Sequence, residues 1–385
     1  MEGFEFEVVH VVSLWAFVLA ALFGFVANKT NFCVMGAISD LLHIGSTGRL
    51  GAWLFAAGIA VIGTQILSLT EVIDLDRSIY LGPRLGWLGH IVGGLAFGVG
   101  MTLAAGCGQR NLVRVGSGSL KALVVLLVLG ITAYTTLRGL LGLLRIGVFQ
   151  APDTDLARYG IEDQSVASLL AAISGAEAGA VDTLRLVLAL ILGIGLVAFS
   201  LSRPAFRRNA DHLLAGFVVG GVIVGGWYLT GRIGNDDFDP VPLESMTFVA
   251  PTGNTINYLM TFTGSTINFG IAAVLGMIGG SLAYSLLSGG FRIETFSNRS
   301  EMVRHLIGAV LMGFGGVLAL GCTIGQGVTG LSTLAIGSLI TVPAIFIGSA
   351  MTMRTEYHML DEHSLFVSLR MGLEDALMPW RAADR

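Results

Sequence analysis

Three cysteines are the residues of this 385-residue chain whose type and setting could do chemistry. Cys33, Cys107 and Cys322 stand in the stretches NKTNFCVMG (28–36), CGQRNLVRVGSGS (107–119) and CTIGQGVTGLST (322–333). Each stretch is too apolar for an ordinary loop and too broken by glycine for a helix. Three is an odd number and no two are spaced CxxC, which excludes a disulfide framework and a zinc ribbon. A free cysteine is by default a small buried hydrophobe. A metal site needs converging ligands, and no His or carboxylate adjoins any of the three, so neither metal nor cofactor is expected. His90 and His305 each precede a cysteine by 17 residues. That is about 25 Å along a straight helix, so neither can activate its own thiol. A sulfurtransferase that builds a persulfide needs a thiolate in a positive field. Only Cys107, followed by Arg110 and Arg114, approaches that. The other chemistry is non-covalent. A neutral thiol is a weak S–H donor and a soft acceptor. It suits a soft, sulfur-bearing anion that must leave a pore as easily as it entered.

Composition sets what must hold these thiols. The chain is 54% hydrophobic and only 12% charged, with a mean hydropathy of +0.77. Soluble domains carry about 25% charged residues, so this is an all-α polytopic membrane protein. The 54 glycines follow no collagen-like period and form no low-complexity run. They must serve close helix packing or bent backbone at membrane depth. A net charge of −4 excludes a nucleic-acid binder. The acidic start (Glu2, Glu5, Glu7) argues against a cleavable signal peptide.

A bilayer core of about 30 Å needs about 20 apolar residues per helix. Nine spans are expected at 8–27, 50–70, 85–105, 119–143, 184–201, 213–231, 268–288, 303–320 and 334–353. The stretches 28–45, 106–118 and 321–333 are too short to span and read as re-entrant segments; the polar stretch 250–266 is a fourth candidate. Lys29, Arg49, Arg110, Arg114, Lys121, Arg203, Arg207, Arg208, Arg292, Arg299 and Arg304 fall on one set of connections. Asp153, Asp155, Glu162, Asp163, Asp236, Asp237 and Asp239 fall on the other. The basic bias puts the N-terminus outside and the tail 354–385 in the cytoplasm. Arg110 and Arg114 then either attract anions at the inner mouth or act only as positive anchors. His90 and His305 belong at the membrane interface. Segment 154–180 reads equally as an amphipathic surface helix or as a solvated loop.

The chain also repeats itself. GGLAFGVGMTLAAGC (93–107) and GAVLMGFGGVLALGC (308–322) match at seven of fifteen positions without a gap, and His90 matches His305. Span counting runs the first copy inward and the second outward, so the halves are inverted. One transmembrane domain results, with a first half over 1–150, a connecting segment with a span over 151–212 and a second half over 213–353. Inverted repeats are a transporter signature, with the site where helices are broken near the midplane. A shared small-residue packing motif explains the glycines of both copies, but not a cysteine and a broken run at the end of each.

The motifs TNFCVMG, GCG…RVGSGS and GCTIGQGVTGLSTLAIGS resemble the YeeE/YedE family of bacterial inner-membrane sulfur transporters, over nearly the whole chain. The resemblance implies an hourglass-shaped bundle of nine spans with four short broken elements, and uptake of thiosulfate, with some members linked to selenium. It implies that Cys33, Cys107 and Cys322 pass the anion along by S–H hydrogen bonds. Gln326, Thr329 and Ser332, inside the third motif, become the next candidates to line the route. A small cytoplasmic sulfur carrier of the TusA type is the implied partner.

Overall fold

The computed structural model describes residues 7–175, 180–236, 240–360 and 365–377. Its helices are α1 (Val8–Lys29), α2 (Val34–His43), α3 (Gly48–Leu69), α4 (Trp87–Leu103), α5 (Gly108–Gly116), α6 (Leu120–Arg138), α7 (Leu141–Leu144), α8 (Val166–Ser174), α9 (Ala180–Ser202), α10 (Pro204–Arg207), α11 (Ala210–Tyr228), α12 (Ala250–Met260), α13 (Phe269–Leu287), α14 (Arg299–Leu318), α15 (Ile336–Leu360) and α16 (Leu365–Leu377). Among the described residues, nine segments are long and apolar enough to cross a bilayer, built on α1, α3, α4, α6, α9, α11, α13, α14 and α15. The expected spans are these nine. Among the described residues, sheet is limited to a two-residue pairing of β1 (Arg84–Leu85) with β2 (Thr154–Asp155).

Capping fixes where several helices begin. Ser119 accepts from the Ala122 N–H at the head of α6, and Asn268 from Ile271 at the head of α13. Asn298 accepts from Glu301 at the head of α14, while the Glu301 carboxylate takes the Ser297 N–H. Such side chains satisfy N–H groups that a helix start leaves unpaired. The fourth span ends at Arg138 rather than 143, because Gly139 leaves helical geometry (φ −110°, ψ −157°). The last span continues past 353 to Leu360 and accommodates Pro343. The polar stretch 250–266 forms the eleven-residue α12 and a short turn. Segment 154–180 is neither plain loop nor free surface helix in its described part. It pairs with β1, forms α8, and ties Gln164 and Val166 by backbone hydrogen bonds to Ile336 and Leu334.

The repeat has a geometric meaning. A β-carbon on Gly93 would stand 2.6 Å from the Gly315 carbonyl oxygen, and one on Gly315 would stand 2.6 Å from that of Gly93. Gly100 and Gly308 face each other in the same reciprocal way, again at 2.6 Å. Residues 93 and 100 align with 308 and 315, so α4 and α14 cross antiparallel about a local two-fold. One layer out, Gly98 closes on the Ile345 carbonyl of α15, and its counterpart Gly313 closes on the Leu129 carbonyl of α6. These helices meet backbone to backbone, which only a hydrogen side chain permits.

Gly100→Leu is therefore expected to destabilise the protein by about 1–3 kcal/mol or to prevent folding, as overpacked cores do. Gly221→Ala, where a β-carbon meets nothing within 4 Å, should be neutral or gain up to about 1 kcal/mol of helix propensity. Thermal unfolding in detergent, followed by size-exclusion, separates the two.

Candidate functional site

Each thiol is reached through the same backbone device. The residue two before each cysteine turns left-handed: Asn31 (φ 53°), Ala105 (φ 52°) and Leu320 (φ 57°). The next N–H folds back to a carbonyl five residues earlier, Phe32 to Ala27 (3.1 Å), Gly106 to Met101 (2.8 Å) and Gly321 to Gly316 (2.8 Å). The left-handed residue's own N–H reaches the carbonyl of Asn28, Thr102 or Val317. This paired bond closes a helix while satisfying its last carbonyls, and it normally uses glycine. Asn tolerates the conformation; at Ala105 and Leu320 it costs about 1–2 kcal/mol each.

The cysteine then opens the next element. Cys33 caps α2 in extended backbone (φ −160°, ψ 124°), and its sulfur accepts the Gly36 N–H at 3.3 Å. Cys107 stands in extended backbone at the head of α5 (φ −72°, ψ 175°). Cys322 precedes a wide turn, Gly325–Gly330, and its sulfur accepts the Gly325 N–H at 3.4 Å. All three sulfurs thus stand where N–H groups point outward, a setting that favours negative charge. Cys107 and Cys322 are fully buried and Cys33 is 7% exposed. Both other thiols lie within the electrostatic surroundings of Cys107, and the Thr323 hydroxyl is within its hydrogen-bonding reach.

The third broken segment is held tightly. Gln326 donates to the Ala319 carbonyl and accepts from Ser338 Oγ, both at 2.5 Å. Thr329 Oγ1 donates to the Met246 carbonyl at 2.7 Å. Ser332 Oγ donates to the Thr329 carbonyl at 2.6 Å and accepts from Trp227 Nε1 at 3.1 Å. The polar atoms of these three residues are spent on protein partners, so they hold the turn that carries Cys322. Trp53 covers the turn, its ring against Gly327 and its Nε1 donating to the Thr323 carbonyl at 3.4 Å. By contrast Gln109 (both amide atoms), Asn111 Oδ1 and Thr323 Oγ1 are buried with no oxygen or nitrogen partner among the described residues.

Tyr80, from a connection outside the nine spans, lies near both Cys322 and Glu244, the latter on another such connection. Burial holds the Tyr80 phenol above its ordinary range, so it stays a neutral O–H. Desolvation pushes the partly buried Glu244 carboxyl up to about 7. On the opposite side, Arg110 donates to Asn31 Oδ1 at 3.1 Å and Arg114 to the Ala105 carbonyl at 3.4 Å. Each arginine thereby braces a left-handed residue that leads to a thiol. They line a cavity of about 460 Å³ with Ser117, Arg292 and Glu294. His90 bonds Thr341 and His305 bonds the Glu301 carbonyl, both near the starts of their helices and far along them from the thiols. Both histidines are buried between helices.

Sequence reasoning missed Trp53, Tyr80, Thr323, Arg292 and Glu294. Thr323 alone had a local signal, as the residue after Cys322. The others come from segments far away in the chain.

Two comparisons bear on this arrangement. A family model described as "Sulphur transport" matches residues 29–351, which includes all three cysteines. Among curated proteins, the chain is 26% identical over 327 residues to "Thiosulfate transporter TsuA" of Escherichia coli (strain K12), covering 80% of this chain and 85% of that one. It is 25% identical over 342 residues to "Thiosulfate transporter TsuA" of Spirochaeta thermophila (strain ATCC 700085 / DSM 6578 / Z-1203), covering 87% and 97%.

Strain at the left-handed residues gives a direct test. Ala105→Gly should raise stability by about 1 kcal/mol, since glycine adopts this conformation freely. Ala105→Val should lower it, because a β-branched residue fits there worst. Thermal melts of both variants in detergent check the signs, and a glycine variant no more stable than the parent would remove the strain.

Proposed function

The chain belongs to the sulphur-transport family, and from that premise we propose that it takes up thiosulfate across a bacterial inner membrane through a central route lined by Cys33, Cys107 and Cys322. The observation that carries this reading is the gathering of two buried thiols and a nearly buried third, each delivered by its own broken helix, with both other thiols in the electrostatic surroundings of Cys107. Thiosulfate presents sulfonate-like oxygens and a soft terminal sulfur. A neutral S–H can donate to either, and weak bonds let the anion move on. A fully charged relay would cost more at membrane depth and would hold the anion too long.

The same route takes in the Thr323 hydroxyl, which stands beside Cys107 and has no oxygen or nitrogen partner among the described residues. Gln326, Thr329 and Ser332 contribute by fixing the turn behind Cys322, and Arg110 and Arg114 draw the anion at the inner mouth. The segments that carry most basic residues lie together: Arg292 bonds Ser117, Lys121 pairs with Glu301, and Gly48 packs on His212. By the positive-inside bias that face is cytoplasmic, with the N-terminus periplasmic and the tail 354–385 inside. A small sulfur carrier of the TusA type would receive the anion there.

Single replacement of Cys107 by Ala should cut thiosulfate uptake into proteoliposomes about tenfold or more, the value of one lost hydrogen bond of about 1.4 kcal/mol at a barrier. Cys33→Ala and Cys322→Ala should impair it as well. Undiminished uptake in all three would end the relay. N-ethylmaleimide should block uptake, and thiosulfate should protect against it. A stable persulfide on Cys107 after exposure to thiosulfate, read by mass spectrometry, would turn the reading toward sulfur transfer.

A further inference from the structure

Residues 289–294 read GGFRIE and join α13 to α14. They do not hang free. The Arg292 N–H donates to the Ser117 carbonyl at 3.0 Å, and the Leu120 N–H donates to the Glu294 carbonyl at 2.9 Å. Gly118 makes this fit possible: at φ 97°, a β-carbon there would stand 2.6 Å from the Arg292 carbonyl oxygen. The result is a strap fixed across the end of α5, forming one wall of the 460 Å³ cavity.

The charges on that wall are arranged unequally. Arg110, Arg114 and Arg292 face the cavity against one carboxylate, Glu294. Glu294 stands 3.9 Å from Arg114, with 54% of its side chain exposed. Arg292 forms no ion pair among the described residues, where Arg114 has Glu294 and Arg110 has only the neutral Asn31. A pair that long and that wet holds weakly. Three guanidiniums against one carboxylate leave room for a divalent anion, which guanidinium forks suit through their paired donors.

We propose that the strap makes this vestibule a second binding site for a small divalent oxyanion. Glu294 occupies Arg114 when the vestibule is empty; the arriving anion displaces Glu294 and itself binds Arg114 and Arg292. Arg110 and Arg114 connect this site by hydrogen bonds to the residues that lead to Cys33 and Cys107, so an anion bound here sits at the end of the thiol route. The inference rests on the proposed anion route and adds a latch at its exit.

The test uses full-length protein in detergent with Cys107→Ala and Cys322→Ala, leaving Cys33 as the lone thiol. Its labelling rates with a sulfonate-bearing methanethiosulfonate and with the trimethylammonium analogue are each divided by the rate with a free small thiol. The sulfonate should be favoured about threefold or more at low salt and lose that advantage at about 1 M salt, as screening removes the field. Glu294→Gln should widen the preference and Arg292→Gln should narrow it, while Arg292→Lys keeps it. A ratio that neither Glu294→Gln nor Arg292→Gln moves would overturn the latch, and so would a Cys33 that neither reagent reaches. The measurement needs no transport. A negative result here with thiol-dependent uptake intact removes the latch alone, whereas uptake indifferent to every cysteine removes the route beneath it.

Discussion

A helix broken inside hydrocarbon must find partners for every backbone group it frees, because no water is there to take them. The architecture around the three cysteines follows from that constraint. At Asn31, Ala105 and Leu320 the chain reverses its helical sense once and satisfies its last carbonyls internally, and at Cys33 and Cys107 it re-enters extended geometry. The unpaired N–H groups of the following element then face the sulfur, which accepts one at Cys33 and at Cys322. Thiols are placed here because a small, weakly polar side chain can stand at such a junction without a strong partner of its own.

Much of this was legible in the sequence. Nine apolar stretches gave nine spans, since length and hydropathy alone decide what can cross a bilayer. The repeated GxGxxLA pattern and the matched cysteines pointed to two related halves, and the reciprocal contacts Gly93–Gly315 and Gly100–Gly308 give that pattern its geometry. What stayed hidden has a common cause. Ala105 and Leu320 carry no local mark of left-handed backbone, since glycine or asparagine is the expected residue there. Arg292 and Glu294 gain their position only when the connection before α14 folds across α5. Gln326, Thr329 and Ser332 stood out only through their place in the third motif, and the hydrogen bonds to Ala319, Ser338, Met246 and Trp227 that fix where they stand had no mark in the sequence.

The two sides of the thiol cluster differ in what surrounds them. Beside Cys322 stands the neutral Tyr80 phenol, and beside that phenol a carboxyl, Glu244, whose proton is held more firmly than usual. Toward Cys33 and Cys107 stand arginines. The two copies of the motif therefore end in dissimilar electrostatic surroundings, although their backbones turn in the same way at Ala105 and Leu320. The repeat supplies the scaffold, and divergence at its ends supplies the polarity.

The reciprocal glycine crossing has a mechanical consequence. Two helices whose main chains touch with no side chain between them interlock, and an interlocked pair resists sliding or tilting. Whatever moves beside this crossing must be small: a side-chain rotamer, or a connection at either end of the two helices.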